Sequence, residues 1–474
     1  MTGGGSERTV ESGRMDLGRI FKAYDIRGVV PDELDEAVAE RIGAAFVRFT
    51  GAPRIAVGHD ARISSPVLAD ALSVGITGAG SDVDSLGMIA TDMAYHAAGM
   101  LAQPAAMVTA SHNPKGWNGV KLCLAGAAPV GVDSGLGEIR RFAESAVSPV
   151  ATPGRIRRLD TRDRYLDHLV AVSGAEGIAE LPVAVDAGNG VGGVVLPALF
   201  DRIAAGLTGL YLEPDGRFPN HHPDPLRPEN LRDLEALMRR SPFALGVAFD
   251  GDADRAFFID DQVQPLPGST VTAMVAAWFL EREPGAHIVH NLICSRAVPE
   301  TILNRGGVPV RTRVGHSYIK AVMAETGAVF GGEHSGHYYF RDNYRADSGV
   351  LAMLILLRLI SEDGRPLSVI RSEFERYAQS GEINLEVADQ TGAISQVAEE
   401  FGGEQDRIDG LTVSLGDRWF NLRPSNTEPV LRLNVEAPDH DAVAELVSAV
   451  TAAVELAQIG SPTSQASVRD RTDT

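Results

Sequence analysis

Apolar residues follow two alternating spacings along most of the chain, one typical of strands and one typical of helices. Short continuous apolar runs predict buried strands, the clearest of which are 55–57, 107–108, 183–185, 245–249 and 288–289. Residues 32–49 and 67–78 place apolar positions at the spacing of an amphipathic helix. This alternation predicts α/β domains whose sheets are largely parallel.

The C-terminal part of the chain departs from this alternation, because short strands come first and a long helix comes last. Strands are predicted at 384–387, 411–415, 419–422 and 431–435. The helix predicted at 439–457 has Val443, Leu446 and Val450 among the residues on its apolar face. This order predicts a smaller α+β domain.

A faint internal repeat joins three of the predicted strands. The segments RIAVGHDAR, LPVAVDAGN and AHIVHNLIC each place an apolar strand before Asp or Asn near a turn. The repeat is a weak indication that one domain plan is used three times. We predict α/β domains at 15–157, 158–264 and 265–377 and an α+β domain at 378–459, with disordered polar tails at 1–14 and 460–474.

The overall charge excludes some classes of partner. The net charge is −20, which argues against a nucleic-acid or anionic-membrane partner. The cluster of Arg155, Arg157 and Arg158 is interpreted as a solvated connector face. Two cysteines are too few for a disulfide framework, so we expect a cytoplasmic protein. For the oligomeric state, we expect a monomer or a small homo-oligomer. No signal peptide is recognised, and the apolar run 350–357 is too short to span a bilayer.

The segment MVTASHNPKGWNGVK presents a hydroxyl at the end of a strand. Ser111 follows the apolar run in a turn marked by Pro114, and Lys121 lies on the next predicted strand. Such an arrangement can offer the Ser111 hydroxyl to a ligand. The alternative is that Ser111 and Asn113 only hold the turn through bonds to the backbone.

The segment DGDADR follows the strand 245–249 directly. Asp250, Asp252 and Asp254 are spaced by small residues, so they can surround one hard cation. The order of ligands does not match an EF-hand, because that loop needs Gly at the position of Arg255. Magnesium bound beside a phosphate is the better interpretation, with Arg255 as a cation for the phosphate.

Two further polar loops suggest recognition of a sugar phosphate. The loop GGEHSGH contains Glu333, Ser335 and His337, which together offer donors and acceptors to sugar hydroxyls. The loop RPSNTEP combines an arginine with small hydroxyls in a turn, which suits a phosphate.

The glycines at 188–193 match a dinucleotide fingerprint, but a tight turn between a strand and a helix is the preferred interpretation because Gly192 and Gly193 are poor helix starters.

Six segments together resemble the α-D-phosphohexomutases, in particular the bacterial phosphomannomutase/phosphoglucomutase branch. They are FKAYDIRG, TASHNP, PNHHPDP, DGDADR, GGEHSGH and RPSNTEP, in the order of that family. The resemblance implies three α/β/α sandwich domains and a smaller C-terminal α+β domain around a central cleft. It also implies a hexose phosphate substrate, Mg²⁺ as cofactor and a hexose 1,6-bisphosphate as activator.

The resemblance also implies roles for individual residues. Ser111 would be the phosphoserine and would bind the metal together with Asp250, Asp252 and Asp254. Glu333 and Ser335 would bind sugar hydroxyls. The non-reacting phosphate would be bound by Arg423, Ser425, Asn426 and Thr427. The remaining residues implied to line the cleft are Tyr24, Arg27, Lys121, His316 and His337, with His112 next to the phosphoserine.

The expected reaction moves a phosphoryl group between O1 and O6 of a hexose through phosphorylated Ser111. Either Lys121 or His337 could be the general base, and the sequence leaves both open. We expect a phosphomannomutase that also accepts glucose phosphates; the alternatives are a phosphoglucomutase or a phosphoglucosamine mutase. His334 argues mildly against an amino sugar, because the related phosphoglucosamine mutases usually have Gln there. A metal-dependent phosphatase and a sugar-phosphate-binding protein without catalysis are the more distant alternatives.

Overall fold

The computed structural model describes residues 16–145, 150–425 and 430–459. These residues form two compact units. The first unit contains the described residues up to 266 together with 323–329 and 335–368. The second unit contains 267–322, 330–334 and the described residues from 369 onward.

The first unit begins with a mixed sheet. Its strands are β1 (Ile26–Val29), β2 (Arg54–His59), β3 (Asp82–Met88), β4 (Ala105–Val108), β5 (Trp117–Cys123) and β6 (Ile156–Arg158). They lie in the order β1-β5-β4-β2-β3-β6. The accompanying helices are α1 (Glu36–Thr50), α2 (Ser65–Gly78), α3 (Thr91–Met100) and α4 (Leu136–Glu144). The apolar faces of α1, α2 and α4 form a core with strands β2, β4 and β5.

A second sheet completes the first unit. Its strands are β7 (Pro182–Asp186), β8 (Gly206–Leu210), β9 (Leu245–Phe249), β10 (Ala256–Ile259) and β11 (Pro265–Leu266), in the order β11-β10-β9-β7-β8. The helices are α5 (Arg162–Ser173), α6 (Gly192–Phe200) and α7 (Arg232–Met238).

The second unit contains a parallel sheet and an antiparallel sheet. In the parallel sheet, β12 (His287–Asn291) lies between β13 (Val308–Thr312) and β14 (Phe330–Gly332), with α8 (Gly268–Arg282) and α9 (Ala297–Asn304) in the same segment. Helix α10 (His316–Thr326) begins in this unit. Strand β15 (Tyr338–Phe340) and helix α11 (Gly349–Asp363) belong to the first unit, and α12 (Leu367–Arg371) follows them along the chain.

The antiparallel sheet forms the C-terminal part of the second unit. Its strands are β16 (Ala378–Glu386), β17 (Glu404–Asp406), β18 (Leu411–Ser414), β19 (Trp419–Pro424) and β20 (Val430–Ala437), in the order β16-β20-β19-β18-β17. Helices α13 (Gln390–Glu400) and α14 (His440–Ile459) pack on this sheet around a shared apolar core. The predicted fold class of three α/β/α domains and one smaller α+β domain is confirmed for the domain types.

The faint sequence repeat corresponds to a common position in three sheets. Strand β2 has parallel neighbours on both sides, β3 and β4. Strand β7 is placed in the same way between β8 and β9, and β12 between β13 and β14. Each repeated segment therefore supplies a central parallel strand whose carboxyl end carries the following polar residues.

Some predicted element limits and interpretations were wrong. The first helix begins at Glu36 instead of residue 32, because the Asp35 carboxylate accepts the Val38 N–H at 2.9 Å and caps the helix there. Helix α6 begins at Gly192, although we expected the glycines to start a helix poorly. The arginine cluster is exposed, as predicted, and its Arg157 also lies on an edge strand and pairs with the buried Asp84.

The described residues test some predictions and leave others open. The domain limits stay a prediction, and both predicted tails lie outside the described residues. Within the part of the chain that the structure describes, every helix is too short or too polar to cross a membrane.

Candidate active site

The loop between β4 and β5 holds Ser111 in a strained backbone conformation. Its φ angle is +49°, in the left-handed region that non-glycine residues rarely adopt. The Ser111 N–H donates to the Thr109 hydroxyl at 2.9 Å. The residue is 2% exposed. Strain of this kind persists only where surrounding contacts enforce it, and it is concentrated at functional sites.

A buried arginine supplies those surrounding contacts. Arg62 follows β2 and donates to four carbonyl oxygens of the loop, those of Ser111 at 2.7 Å, Asn113 at 2.6 Å, Pro114 at 2.9 Å and Trp117 at 3.0 Å. Asp60 holds the guanidinium at 3.3 Å and also accepts from the Thr109 hydroxyl at 2.7 Å. The loop is therefore fixed from behind by an ion pair at the end of the central strand.

The second loop follows β9 and contains three buried carboxylates. Asp250, Asp252 and Asp254 each have an oxygen within 4.8 Å of the others, and each residue is at most 1% exposed. In the described part of the chain, Asp252 Oδ1 and Asp254 Oδ1 have no hydrogen-bond partner. Ala253 between them has a φ of +61°. These oxygens fit a hard divalent cation, which takes oxygen ligands and would satisfy both atoms.

The pKa values of this loop reflect the crowding of charge. Burial, with added repulsion from Asp254 and Asp252, raises the pKa of Asp250 to about 7. Burial also acts to raise the pKa of Asp252, but the Lys121 ammonium and the Thr91 hydroxyl outweigh it and lower that pKa below its usual value. The loop thus favours cations, whether ammonium or metal.

The two loops meet at the Ser111 hydroxyl. Ser111 Oγ donates to Asp250 Oδ2 at 2.6 Å and lies 3.1 Å from His112 Nδ1. A Cβ at position 251 would lie only 2.6 Å from the Ser111 carbonyl oxygen, so the contact requires Gly251. Burial and the nearby Arg255 and Arg27 lower the pKa of His112 well below its usual value, which keeps the imidazole neutral.

Cationic side chains surround this junction. Lys121 Nζ lies 3.0 Å from Asp252 Oδ2 and also pairs with Asp254. Arg255 Nε donates to Asp250 at 2.9 Å, while its Nη2 is buried without a partner among the described residues. Arg27 donates to Asp25 at 2.9 Å and to the Ala110 carbonyl at 3.2 Å.

The other predicted residues of the first unit are Ser335 and His337, which lie close together along the chain, and Tyr24, which precedes β1. His337 forms an antiparallel bridge with Arg255, and its Nδ1 lies 3.0 Å from Asp347 Oδ2. Ser335 is in the turn that leads to His337, and Tyr24 is in the bend before β1. The bridge brings His337 to the loop that contains Asp250, Asp252 and Asp254, which sequence spacing alone did not indicate.

The predicted sugar and phosphate residues that belong to the second unit form their own cluster. Glu333 is 2% exposed, and its Oε1 accepts from Asn291 Nδ2 at 3.2 Å and from the Gly315 N–H at 3.0 Å. Arg423 lies on β19, where Glu382 accepts from its Nη2 at 3.0 Å. Burial lowers the pKa of Arg423, and the carboxylate of Glu382 opposes this shift more strongly than that of Glu333.

Several predicted residues are only partly described. Ser425 donates its N–H to the Val430 carbonyl at 2.9 Å. Asn426 and Thr427 lie outside the described residues. His316 is the first residue of α10, and its side chain is not described.

The sequence analysis did not identify several residues that hold the site loops in place through hydrogen bonds and ion pairs. Asp60 and Arg62 stand in RIAVGHDAR, whose Asp and Arg directly after a strand were a usable signal. Thr91 donates its hydroxyl to Asp252 Oδ2 at 2.7 Å, and His221 of PNHHPDP lies 3.0 Å from Asp186. Thr91 and Asp347 carried no sequence signal, because only the tertiary fold places them beside the loops.

Comparisons with known proteins agree with this geometry. Family models match all four domains: phosphoglucomutase/phosphomannomutase alpha/beta/alpha domain I at 18–146, domain II at 163–263, domain III at 267–377 and the C-terminal domain at 382–453. A phosphomannomutase of Salmonella montevideo is 39% identical over 430 residues, which is 88% of this chain and 94% of that protein.

Two further relatives extend the match to another bacterium and to a solved structure. Phosphohexose mutases of Xanthomonas campestris pv. campestris are 38% identical over 432 residues, covering 90% of this chain and 96% of theirs. A phosphoglucomutase/phosphomannomutase family protein of Burkholderia thailandensis has a TM-score of 0.85 at 35% identity, covering 93% of this chain and 98% of that one. The chain therefore belongs to the phosphoglucomutase/phosphomannomutase family.

Proposed function

We propose that this enzyme is a phosphomannomutase that interconverts mannose 6-phosphate and mannose 1-phosphate and also acts on glucose phosphates. It works through phosphorylated Ser111 and a hexose 1,6-bisphosphate. The observation that carries the proposal is the junction of the two loops, where the Ser111 hydroxyl donates to Asp250 at 2.6 Å beside Arg255. The similarity to phosphomannomutases over most of the chain supports the choice of mannose.

In this proposal, Ser111 is the residue that carries the phosphoryl group between turnovers. The bond from phosphorus to Ser111 Oγ breaks, a bond to the free sugar hydroxyl forms, and a base takes the hydroxyl proton. The bisphosphate then reverses its ends and returns its other phosphoryl group to Ser111. The left-handed backbone and the four carbonyl contacts of Arg62 keep Ser111 Oγ in one place for both half-reactions.

The metal of this site is proposed to be Mg²⁺, held by Asp250, Asp252, Asp254 and phosphorylated Ser111. Its contribution would be to neutralise charge that develops on the transferring phosphoryl group. The chain's own cations act on the same charge. Arg255 Nη2, which has no partner among the described residues, can donate to a phosphoryl oxygen, and Arg27 and Lys121 add positive charge around the loop.

His337 is a better candidate for the base than Lys121. Burial acts to lower the pKa of Lys121, but Asp252 and Asp254 outweigh it and raise that pKa well above its usual value. Lys121 is therefore protonated as long as Asp252 and Asp254 carry no metal. His337 Nδ1 faces Asp347 Oδ2 at 3.0 Å, an arrangement that orients the imidazole and favours the tautomer with its proton on Nδ1.

Recognition of the sugar phosphate is assigned to the predicted binding residues. Glu333 and Ser335 bind sugar hydroxyls, and Arg423 and Ser425 bind the non-reacting phosphate together with Asn426 and Thr427. Tyr24 and His316 are proposed as further contacts. His334 has its Nδ1 3.1 Å from Ser269 Oγ and lines a small cavity with Trp419 and Glu436. This placement supports a structural role for His334. We therefore propose that the enzyme converts mannose and glucose phosphates at similar rates.

A coupled mutase assay tests the proposed substrates. Mannose 1-phosphate and glucose 1-phosphate are each supplied with Mg²⁺ and a trace of hexose 1,6-bisphosphate, which acts as activator. Conversion of both sugars at comparable rates is expected. Conversion of glucosamine phosphate in preference to both would support the amino-sugar alternative, and release of inorganic phosphate without isomerisation would support a metal-dependent phosphatase. We further propose a cytoplasmic enzyme that is a monomer or a small homo-oligomer.

A further inference from the structure

The phosphate-binding region of the second unit contains a carboxylate among its arginines. Arg423 on β19 and Arg432 on β20 are direct cross-strand partners. Glu382 on β16 reaches both, with Oε2 accepting from Arg423 Nη2 at 3.0 Å and Oε1 3.3 Å from Arg432 Nη1. One carboxylate therefore lies between two guanidinium groups, which is the position that a phosphate would take.

Exposure and charge distinguish the three side chains. Arg423 is only 3% exposed, whereas Glu382 is 31% exposed and Arg432 is 24% exposed. Arg423 Nε is buried without a partner among the described residues. The strand β16 bulges just before Glu382, between Gln379 and Glu382, and Gly381 takes a φ of +69° there. The bulge sets where Glu382 points.

We propose that Glu382 limits the affinity of the Arg423–Arg432 pair for the non-reacting phosphate, so that the bisphosphate intermediate is released from this pair and can reverse its ends. The inference rests on the proposed mutase reaction, and it adds Arg432 to the phosphate-binding residues. Two arginines without a counter-charge would hold a phosphate dianion tightly. Glu382 cancels one of the two positive charges and competes for the same N–H donors.

The reaction gives a reason for such a limit. Each turnover requires the same pair of arginines to bind one phosphate of the intermediate, release it and bind the other. Binding energy that is equal before and after this reversal slows release without helping the chemical step. Competition from the Glu382 carboxylate would shorten the time that a phosphate stays bound to the two arginines and would leave the binding site itself unchanged.

The test compares Glu382→Gln with Glu386→Gln, an exposed glutamate four positions further along the same strand. Binding of glucose 1,6-bisphosphate is measured by calorimetry on the full chain with Mg²⁺, in a Ser111→Ala background that cannot be phosphorylated. Glu382→Gln is expected to tighten binding by about fivefold to tenfold at low salt, less at high salt, because the pair is partly exposed. Glu386→Gln is expected to leave binding unchanged, and Arg432→Met to weaken it.

Turnover is measured for the same substitutions with Ser111 intact. The inference expects Glu382→Gln to lower both KM and kcat and to leave less bisphosphate free in solution during turnover. Unchanged or weaker binding in Glu382→Gln would overturn the inference, since a carboxylate that only positions Arg423 must weaken binding when removed. Absence of mutase activity in the unsubstituted enzyme would instead overturn the proposed function.

Discussion

Arg62 donates to the carbonyl oxygen of Ser111 at 2.7 Å from a position directly behind the loop. The same guanidinium holds three more loop carbonyls, so the left-handed backbone of Ser111 depends on one side chain. A lysine at this position cannot form these contacts together, because it has one nitrogen instead of a planar fork.

We therefore expect Arg62→Lys to reduce kcat by about ten- to a hundredfold with little change in KM, since the substitution displaces the nucleophile without touching the substrate. Arg19→Lys is the control, because the Arg19 side chain is 87% exposed. Steady-state kinetics and circular dichroism separate lost catalysis from lost folding. A folded Arg62→Lys enzyme with normal kcat would show that Ser111 does not need this support.

The proposed binding of Mg²⁺ by Asp250, Asp252 and Asp254 can be tested without an activity assay. Lys121 and Arg255 neutralise the three buried carboxylates only in part, so Mg²⁺ is expected to raise the Tm of the unsubstituted chain. Asp252→Asn removes one ligand and should abolish most of that rise without unfolding the protein. Asp201→Asn, at an exposed site, is the control. Differential scanning fluorimetry with and without Mg²⁺ checks this, and an undiminished rise in Asp252→Asn would contradict the assigned ligand set.

Asp347 predicts a role in positioning the base. Its carboxylate faces His337 Nδ1, and an amide there would favour the wrong tautomer of the imidazole. Asp347→Asn should lower kcat by about ten- to a hundredfold, with KM nearly unchanged and an altered pH profile of kcat. The control is Asp342→Asn on the same segment, whose side chain is 55% exposed. Parallel pH profiles for unsubstituted enzyme and Asp347→Asn would contradict the pairing.

The buried Asp92 carboxylate makes the stability of the folded protein depend on pH. Burial raises its pKa to about 7, although the Ser348 and Tyr165 hydroxyls oppose the shift. Because the folded pKa lies above the ordinary value of 3.8, the protonated group's contribution to stability is complete below pH 4 and is lost as pH rises to 7. At pH 8 the folded protein carries the full cost of a buried charge.

Asp92→Asn removes this cost while an amide oxygen still accepts from both hydroxyls. We expect the free energy of unfolding to rise at pH 8 by on the order of 2 to 4 kcal/mol, with a smaller gain at pH 5. Denaturant unfolding at both pH values measures this, and Asp70→Asn on the exposed face of α2 is the control. Equal destabilisation at both pH values would mean that the ionised carboxylate is needed.

The sequence was most informative where chemistry and local structure coincide. The strand Leu245–Phe249 was predicted to the residue, since a short apolar run ends abruptly at Asp250. The turn at Ser111 was likewise readable from Pro114 and the glycines that follow. Local spacing determines both features.

Residues that act through tertiary contacts were not predictable in the same way. Arg62 and Ser111 are 49 positions apart, and Glu382 is 41 positions from Arg423. Arg62 and Ser111 follow β2 and β4, which are neighbours in the folded sheet, whereas Glu382 on β16 and Arg423 on β19 lie on either side of β20. The helix that was predicted from residue 32 shows a smaller failure, because an apolar period cannot reveal that Asp35 caps the helix.

The most direct measurement follows the phosphoryl group itself. Glucose 1,6-bisphosphate carrying radiolabelled phosphate is mixed with the Mg²⁺-loaded enzyme, and the protein is digested and mapped. The account predicts label on the peptide that contains Ser111, transferable to mannose 6-phosphate. It also predicts no label in Ser111→Ala, whose kcat/KM should fall by at least about a hundredfold. Label on another residue, or mutase activity in Ser111→Ala near that of the unsubstituted enzyme, would contradict it.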